Sequence, residues 1–331
     1  MKKKILLIGG AGYLGRVISK EFIKKNYFVR VLDNCVYQGM KNKFDLNNIN
    51  FEFFYGDKSS PKTLKKVLDK IDVVVILSGL VGDPITKKYP GLSKKTNIDK
   101  TLKCINLINK FKIKKLIFIS TCSNYGVTKK QVPVSENNVL NPISLYSKAK
   151  VKIEKFLINN KNKFNFSFTI LRFSTAFGYS PRMRFDLTVN QFVKDIYLNR
   201  KIELYDADTW RPYCHVKDFA NAIDKVIQAN EKLTKNNIFN VGRNENNFSK
   251  LAIIKLIIKK MKKGNYEIVK NSKDRRNYIV NFSKIKKILK FTPQLSISYG
   301  INEILSEFRK KNIDKSKIFQ FGNYKVKKNI I

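Results

Sequence analysis

Histidine occurs once in this 331-residue chain, at His215. A Ser-His-Asp triad needs histidine as its base, and a zinc site usually draws on several nitrogen or sulfur ligands, so the sequence argues against both. His215 itself reads as a structural hydrogen-bonding residue. The four cysteines (Cys35, Cys104, Cys122, Cys214) are far apart, with no CxxC and no Cys/His cluster. That excludes a disulfide framework and agrees with a reducing compartment. No apolar run approaches the ~20 residues of a membrane span. The opening "ILLI" is ended by glycines and is shorter than the ~7–15 residues of a signal-peptide core. It reads as a first strand, and the expectation is a cytoplasmic protein without membrane contact. Acidic residues are also scarce, 25 against 67 Lys and Arg, for a formal net charge of +42. Such a charge attracts polyanions. Yet the lysines are spread over the whole chain alongside abundant Asn and Ile, with no compact basic stripe interleaved with aromatics. Nucleic-acid binding therefore stands only as a rival reading, with charge as its sole support.

What is present is alternation. "KILLIG", "FVRVLD", "INFEFFYGD", "DVVVILSG", "KKLIFIS" and "FSFTILRFS" read as strands. Between them lie helical patterns: "YLGRVISKEFIKKN", "LKKVLDK", "TLKCINLINKFK" and a helix from about Leu145 through "YSKAKVKIEKFLINN". This order predicts an α/β fold with a doubly wound parallel sheet. Beyond about Ala176 the rhythm loosens into helices and short strands ("KIELYD", "IFNVG", "NYEIV"). The expected division is a Rossmann domain over 1–175 and a smaller mixed α/β lobe over 176–331, with some segments returning to the main sheet. The polar, basic tail from Lys310 is expected to fray.

"LLIGGAGYLG" places Gly9, Gly12 and Gly15 where the first strand turns into the first helix, opened by Tyr13 and Leu14. Glycines there allow a tight turn and close approach of the backbone to a pyrophosphate at a helix N-terminus. Asp33 closes the second strand, where a carboxylate can hold the adenosine ribose hydroxyls and repel a 2′-phosphate, which favours NAD. Asp57 ends the third strand and is a weaker candidate for the adenine. Tyr146 and Lys150 form YxxxK on one helix face. The ammonium is expected to lower the tyrosine pKa and to hold the nicotinamide ribose, so that the phenolate can take a proton from a sugar hydroxyl. Thr121, at the end of the fifth strand, can hydrogen-bond the same substrate oxygen. Asn97 is a candidate polar support.

Taken together, the glycine turn, Asp33, "STCSNYG" and "YSKAK" resemble the extended short-chain dehydrogenases/reductases, in their nucleotide-sugar epimerase and dehydratase group. The resemblance runs over roughly residues 4 to 305. It implies NAD as cofactor, a nucleotide-diphosphate sugar as substrate, and a homodimer paired through "TLKCINLINKFK" and "YSKAKVKIEKFLINN". It implies Thr121, Tyr146 and Lys150 as the catalytic set, and Leu77, from the family's "HLA" segment (here "ILS"), as a mainly backbone cofactor contact. "WRPYCHVKDFANAI" is similar to the family's R-x-x-x-H-V-x-D segment and places Arg211 at the diphosphate. "DRRNYIVNFSKIKKIL" places Arg275 or Arg276 nearby, and "SPRMRFDLTVNQF" offers Arg182, Arg184 and Asn190 to the substrate pocket.

Two departures carry information. The family's Asn in "LRxxNxYG" is Thr175 here. Sugar 4,6-dehydratases carry Asp-Glu after the threonine as elimination acid and base, and this chain has Cys122-Ser123, with Ser123 retained as a substrate contact. Thiol and hydroxyl are poor substitutes for matched carboxylates. The expectation is an epimerase that oxidises a sugar hydroxyl transiently, at the 4-position. Dehydrogenase, ketoreductase and dehydratase remain open on the same scaffold, and a non-catalytic NAD(P)- or RNA-binding relative is the remote rival.

Overall fold

A computed structural model describes residues 2–37, 39–41, 43–128, 132–269, 276–310 and 322–327. Seven parallel strands form the main sheet: β1 (Lys4–Ile8), β2 (Phe28–Asp33), β3 (Phe51–Tyr55), β4 (Val73–Ile76), β5 (Lys115–Thr121), β6 (Ser167–Phe173) and, further along the chain, β10 (Asn237–Val241). Their order is β10-β6-β5-β4-β1-β2-β3. The winding reverses between β1 and β4, and such a switch point opens a crevice at the strands' C-terminal ends.

The strands are continuous apolar runs because both faces are covered. With a side-chain period of two, Ile5, Leu7, Val29, Val31, Val73, Val75, Ile117 and Ile119 share one core with residues of helix Val216–Gln228. Leu6, Ile8, Val74, Ile76, Leu116, Phe118 and Ile170 meet the helices Pro61–Val67, Lys100–Ile108 and Leu145–Asn159 on the other.

The remaining strands are β7 (Thr175–Phe177), β8 (Ile202–Tyr205), β9 (Trp210–His215), β11 (Asn247–Ser249) and β12 (Tyr266–Val269). They build a mixed sheet β11-β9-β7 and a parallel pair β12-β8. The short strands read from the sequence as "KIELYD" and "NYEIV" lie here, whereas "IFNVG" is β10 and returns to the main sheet beside β6. β9 escaped the sequence reading because Pro212 interrupts its pattern, and proline cannot donate to a ladder. Phe177, Phe185, Val189, Ile253, Ile301 and Phe308 form the lobe's core, which also takes in Tyr13 and Val17 of the first helix. His215, fully buried, accepts the Lys217 amide at Nδ1 (3.2 Å), and its Nε2 pairs with Glu303 (2.9 Å). Burial alone would raise the Glu303 carboxyl, but hydrogen bonds from His215 and Lys217 hold it down to about 2.

A buried polar knot sits under the end of β5. Arg172 on β6 donates to Glu154 on the Leu145–Asn159 helix through Nη2 (2.7 Å) and Nε (3.1 and 3.2 Å). Their side chains are 4% and 1% exposed. Ser120 also donates to Glu154, as does Asn124 Nδ2 (2.8 Å). Arg172 Nη1 reaches the Tyr125 hydroxyl (3.0 Å), which donates to Asn240 on β10 (2.8 Å). One carboxylate thus ties β5, its following turn, β6 and the helix together. Removing one partner of such a pair strands the other charge. Glu154→Leu is expected to lose about 3–5 kcal/mol in chemical denaturation, while Glu154→Leu with Arg172→Met recovers most of it. Equal losses in the single and double variants would contradict this role.

Candidate active site

The switch point forms a cleft of about 990 Å³, counting its open mouth. Gly9, Gly12, Tyr13, Leu14, Gly15, Asp33, Asp57, Leu77, Tyr146, Lys150, Arg182 and Arg184 all line it. The glycines differ in what they do. Gly9 has φ +85°, and a Cβ there would lie 2.5 Å from the Ser78 Cα. A Cβ on Gly15 would lie 2.3 Å from the Gly10 carbonyl oxygen, so Gly15 lets the helix pack on the turn. A Cβ on Gly12 would meet nothing nearer than the Gly9 oxygen at 3.7 Å, so its space opens to the cleft. Gly12 precedes helix Tyr13–Lys24, whose N-terminus has no side-chain cap and leaves amides for an anion.

Asp33 accepts the Ala11 and Cys35 amides (2.9 and 2.8 Å). Burial pushes its carboxyl up, and those amides together with Arg182 and Arg16 oppose the rise. Each oxygen keeps a lone pair for a ribose hydroxyl. Asp57 is engaged by Lys100 and by the Ser59 amide (2.7 Å). Glycine cradle, uncapped helix and Asp33 together fit a dinucleotide.

Lys150 is buried, donates to the Ile119 carbonyl (2.6 Å) and lies 5.7 Å from the Tyr146 ring centre. Burial, and then the charge of Lys58, push its ammonium down to about 7. Burial raises the Tyr146 phenol above its ordinary value, and the cation opposing that rise is Arg184. The expected electrostatic coupling from Lys150 is therefore not the one the structure places foremost. Arg184 is held by Asp186 (3.2 and 2.5 Å), while Asp83 and Tyr278 also act on the phenol. Asp83 pairs with Arg276 (2.8 Å), and the Arg276 carbonyl accepts from Arg211, which also lies 5.0 Å over the Tyr278 ring.

Thr121, Asn97, Asn190 and Thr175 are not among the residues that line the cleft. Thr121 caps the turn Cys122–Tyr125 by accepting the Ser123 amide (3.1 Å), and the two hydroxyls are 2.9 Å apart. Asn97 lies in a π-helical turn, Lys95–Asp99, and grips the Leu80 amide and carbonyl (2.6 and 3.0 Å), fixing the loop after β4. Asn190 is fully buried against Tyr13 (3.0 Å), Gly178 and the Arg184 carbonyl, which makes it a brace behind the site. Thr175 lies on β7, outside the lining. Arg182, which does line the cleft, stacks over Tyr37 (4.9 Å) and acts on Asp33. Arg275 lies outside the described residues.

The sequence reading missed two things. Glu154 continues the Tyr146/Lys150 stripe by another four residues, a signal that was available. Of the tail, only residues 322–327 are described, and there Asn323 donates to the Val81 carbonyl (3.1 Å) and the Lys327 amide to the Val36 carbonyl (3.0 Å), at the cleft mouth.

A doubly wound sheet with a glycine-lined crevice, an acid ending β2 and a tyrosine–lysine helix beside β5 defines a dinucleotide-dependent enzyme of the Rossmann class. A sequence model of the NAD dependent epimerase/dehydratase family matches residues 5–242, and the chain belongs to that family. It is 27% identical over 270 residues to a UDP-glucose 4-epimerase of Lactobacillus helveticus, covering 76% of this chain and 79% of the relative. It is 26% identical over 321 residues to a UDP-glucuronate 4-epimerase of Thermodesulfobacterium geofontis, covering 93% and 97%. The UDP-glucose 4-epimerase structure from Thermotoga maritima, solved with UDP-glucose, superposes with a TM-score of 0.81 at 25% identity, covering 93% of this chain and 99% of that one. The protein is an NAD-dependent enzyme of the epimerase/dehydratase type.

Two expectations follow from the geometry. Gly12→Val folds with an unchanged melting temperature but loses NAD binding, whereas Gly15→Val is destabilised; calorimetry and NAD titration check both. Lys150 has a folded pKa of about 7 against an ordinary 10.5. Between those values the unfolded chain holds the extra proton, so stability rises with pH, and the penalty is complete below about 7. Lys150→Met therefore melts above the wild type at pH 6.5, and the gap closes towards pH 10. A gap independent of pH would contradict the assignment.

Proposed function

We propose that the protein is a nucleotide-sugar 4-epimerase. The observation that carries this reading is the environment after Thr121. Cys122 is buried, donates to the Arg172 carbonyl (3.2 Å), and has its thiol pushed above its ordinary range by burial. The Ser123 hydroxyl shares a hydrogen bond with that of Thr121 (2.9 Å). No carboxylate stands at these two positions to drive elimination of water, while Tyr146 and Lys150 line the cleft.

Bound NAD supplies a reversible hydride acceptor. Gly12 and the helix amides would receive its diphosphate, Asp33 its adenosine ribose, and Lys150 its nicotinamide ribose. Tyr146 takes the proton from the sugar 4-hydroxyl as that carbon is oxidised, and Thr121 hydrogen-bonds the same oxygen. The resulting ketosugar turns within the pocket, and Tyr146 returns the proton as the ketone is reduced on its other face. Arg211, with Arg276 beside it, supplies charge for the substrate diphosphate, which suits a bidentate guanidinium. The similarity to UDP-sugar epimerases supports a UDP-hexose as substrate. A homodimer through the helices Lys100–Ile108 and Leu145–Asn159 belongs to the same proposal, supported by Leu102, Leu107, Phe156 and Ile158, which are only partly covered within the chain.

The test is a panel of UDP- and dTDP-sugars, with product stereochemistry read by NMR. Epimeric product is expected, and Tyr146→Phe should lower the rate about 10²–10⁴-fold with substrate binding retained. A dehydrated 4-keto product, or an unchanged rate in Tyr146→Phe, would overturn the reading.

A further inference from the structure

Lys58 follows Asp57 at the end of β3, and its side chain is drawn inward, the residue being 7% exposed. Its ammonium donates to the Ser78 hydroxyl (2.9 Å) and the Thr101 hydroxyl (2.8 Å). Both acceptors are neutral. Among the described residues no ion pair includes Lys58, and the neighbouring acids are committed: Asp57 to Lys100 and the Ser59 amide, Asp33 to the Ala11 and Cys35 amides. A lysine carries three N–H donors, and hydroxyls take two of these. Asp57 and Asp33 act on this ammonium only at a distance, and a buried ammonium whose direct acceptors are all neutral is costly where a methionine would fill the space.

The position of this charge suggests its use. Lys58 lines the cleft together with Gly9, Gly12, Asp33 and Ser78. Its acceptor Ser78 abuts Gly9 so closely that a Cβ on Gly9 would lie 2.8 Å from the Ser78 Cβ. The glycine turn brings little cationic charge of its own, because Arg16 turns back to the Ala11 carbonyl (3.0 Å) and stacks on Phe44 (4.3 Å). Lys150, near enough to feel the Lys58 charge, is committed to the carbonyl of Ile119 (2.6 Å).

We propose that Lys58 is a cofactor-binding residue whose ammonium meets the negative charge of the dinucleotide's diphosphate, with Ser78 and Thr101 holding it in place until then. The proposal rests on the reading that the cleft takes a dinucleotide. A lysine that merely ties β3, β4 and helix Lys100–Ile108 together would behave differently, and stability and affinity separate the two roles.

The experiment compares wild type with Lys58→Met, which removes charge and donors, and Lys58→Gln, which removes the charge and keeps donors. NAD, ADP-ribose and adenosine are titrated by calorimetry, and melting temperatures are recorded without ligand. Both variants should bind NAD and ADP-ribose about ten-fold more weakly, the loss of one charge-assisted contact, with adenosine binding unchanged. Lys58→Met should melt at or above the wild-type temperature. The proposal is overturned if NAD and ADP-ribose affinities stay within two-fold, if all three ligands weaken together with a lower melting temperature, or if Lys58→Gln binds like wild type. Failure of wild type to bind NAD would sink the dinucleotide reading itself, a result distinct from any of these.

Discussion

The Glu154–Arg172 pair is the constraint on which the site depends. Thr121 stands at the end of β5, and Tyr146 and Lys150 stand on the helix that follows it. In the proposed reaction Thr121 and Tyr146 must meet one sugar oxygen while Lys150 holds the cofactor, which requires strand and helix to keep a fixed register. Apolar packing between a strand and a helix tolerates small slips. A fully buried carboxylate held by a guanidinium, a serine and an asparagine tolerates far less, since any slip leaves a charge without its partner. Glu154 lies one turn beyond Lys150, so the helix face that carries the chemistry also carries its anchor. Arg172 extends the same tie through Tyr125 to Asn240 on β10, which fastens the returning strand from the second lobe to the floor of the site.

The chain's excess of basic charge gains a local meaning at the cleft. Lys58, Lys100, Lys150, Arg182 and Arg184 all line it. Asp186 holds Arg184 and Asp57 holds Lys100, while Lys58 and Lys150 face only neutral acceptors. In the proposed function the site receives a dinucleotide and a nucleotide-diphosphate sugar, and the anionic phosphates of both would compensate cations that the protein leaves partly unmatched. The remaining lysines are spread along the whole chain.

Much of this was legible in the sequence because it is local. Hydrophobic period distinguishes buried strands from amphipathic helices, a glycine turn after a first strand has few alternatives, and Tyr146 and Lys150 share a face by helix geometry alone. Directions and partners set by tertiary contact were not legible. Asn190 and Asn97 are the amide types that a ligand site uses, yet both are consumed in holding backbone and Tyr13. Arg182 lies beside Asp33 because Tyr37 offers it a ring. Lys58 has no motif at all: its meaning comes from Ser78 and Thr101, which lie 20 and 43 residues away in the chain. The mutual effect of Tyr146 and Lys150 was misjudged for a related reason, since burial acts on each group more strongly than their neighbourhood does.

The central claim is that the sugar is oxidised and reduced at the same carbon without leaving the site. UDP-glucose deuterated at carbon 4, incubated with the protein in ordinary water, tests this directly by mass spectrometry and NMR of the product. The account predicts an epimer that retains the deuterium at carbon 4. Deuterium lost to solvent, moved to another carbon, or carried in a product that has lost water would contradict it.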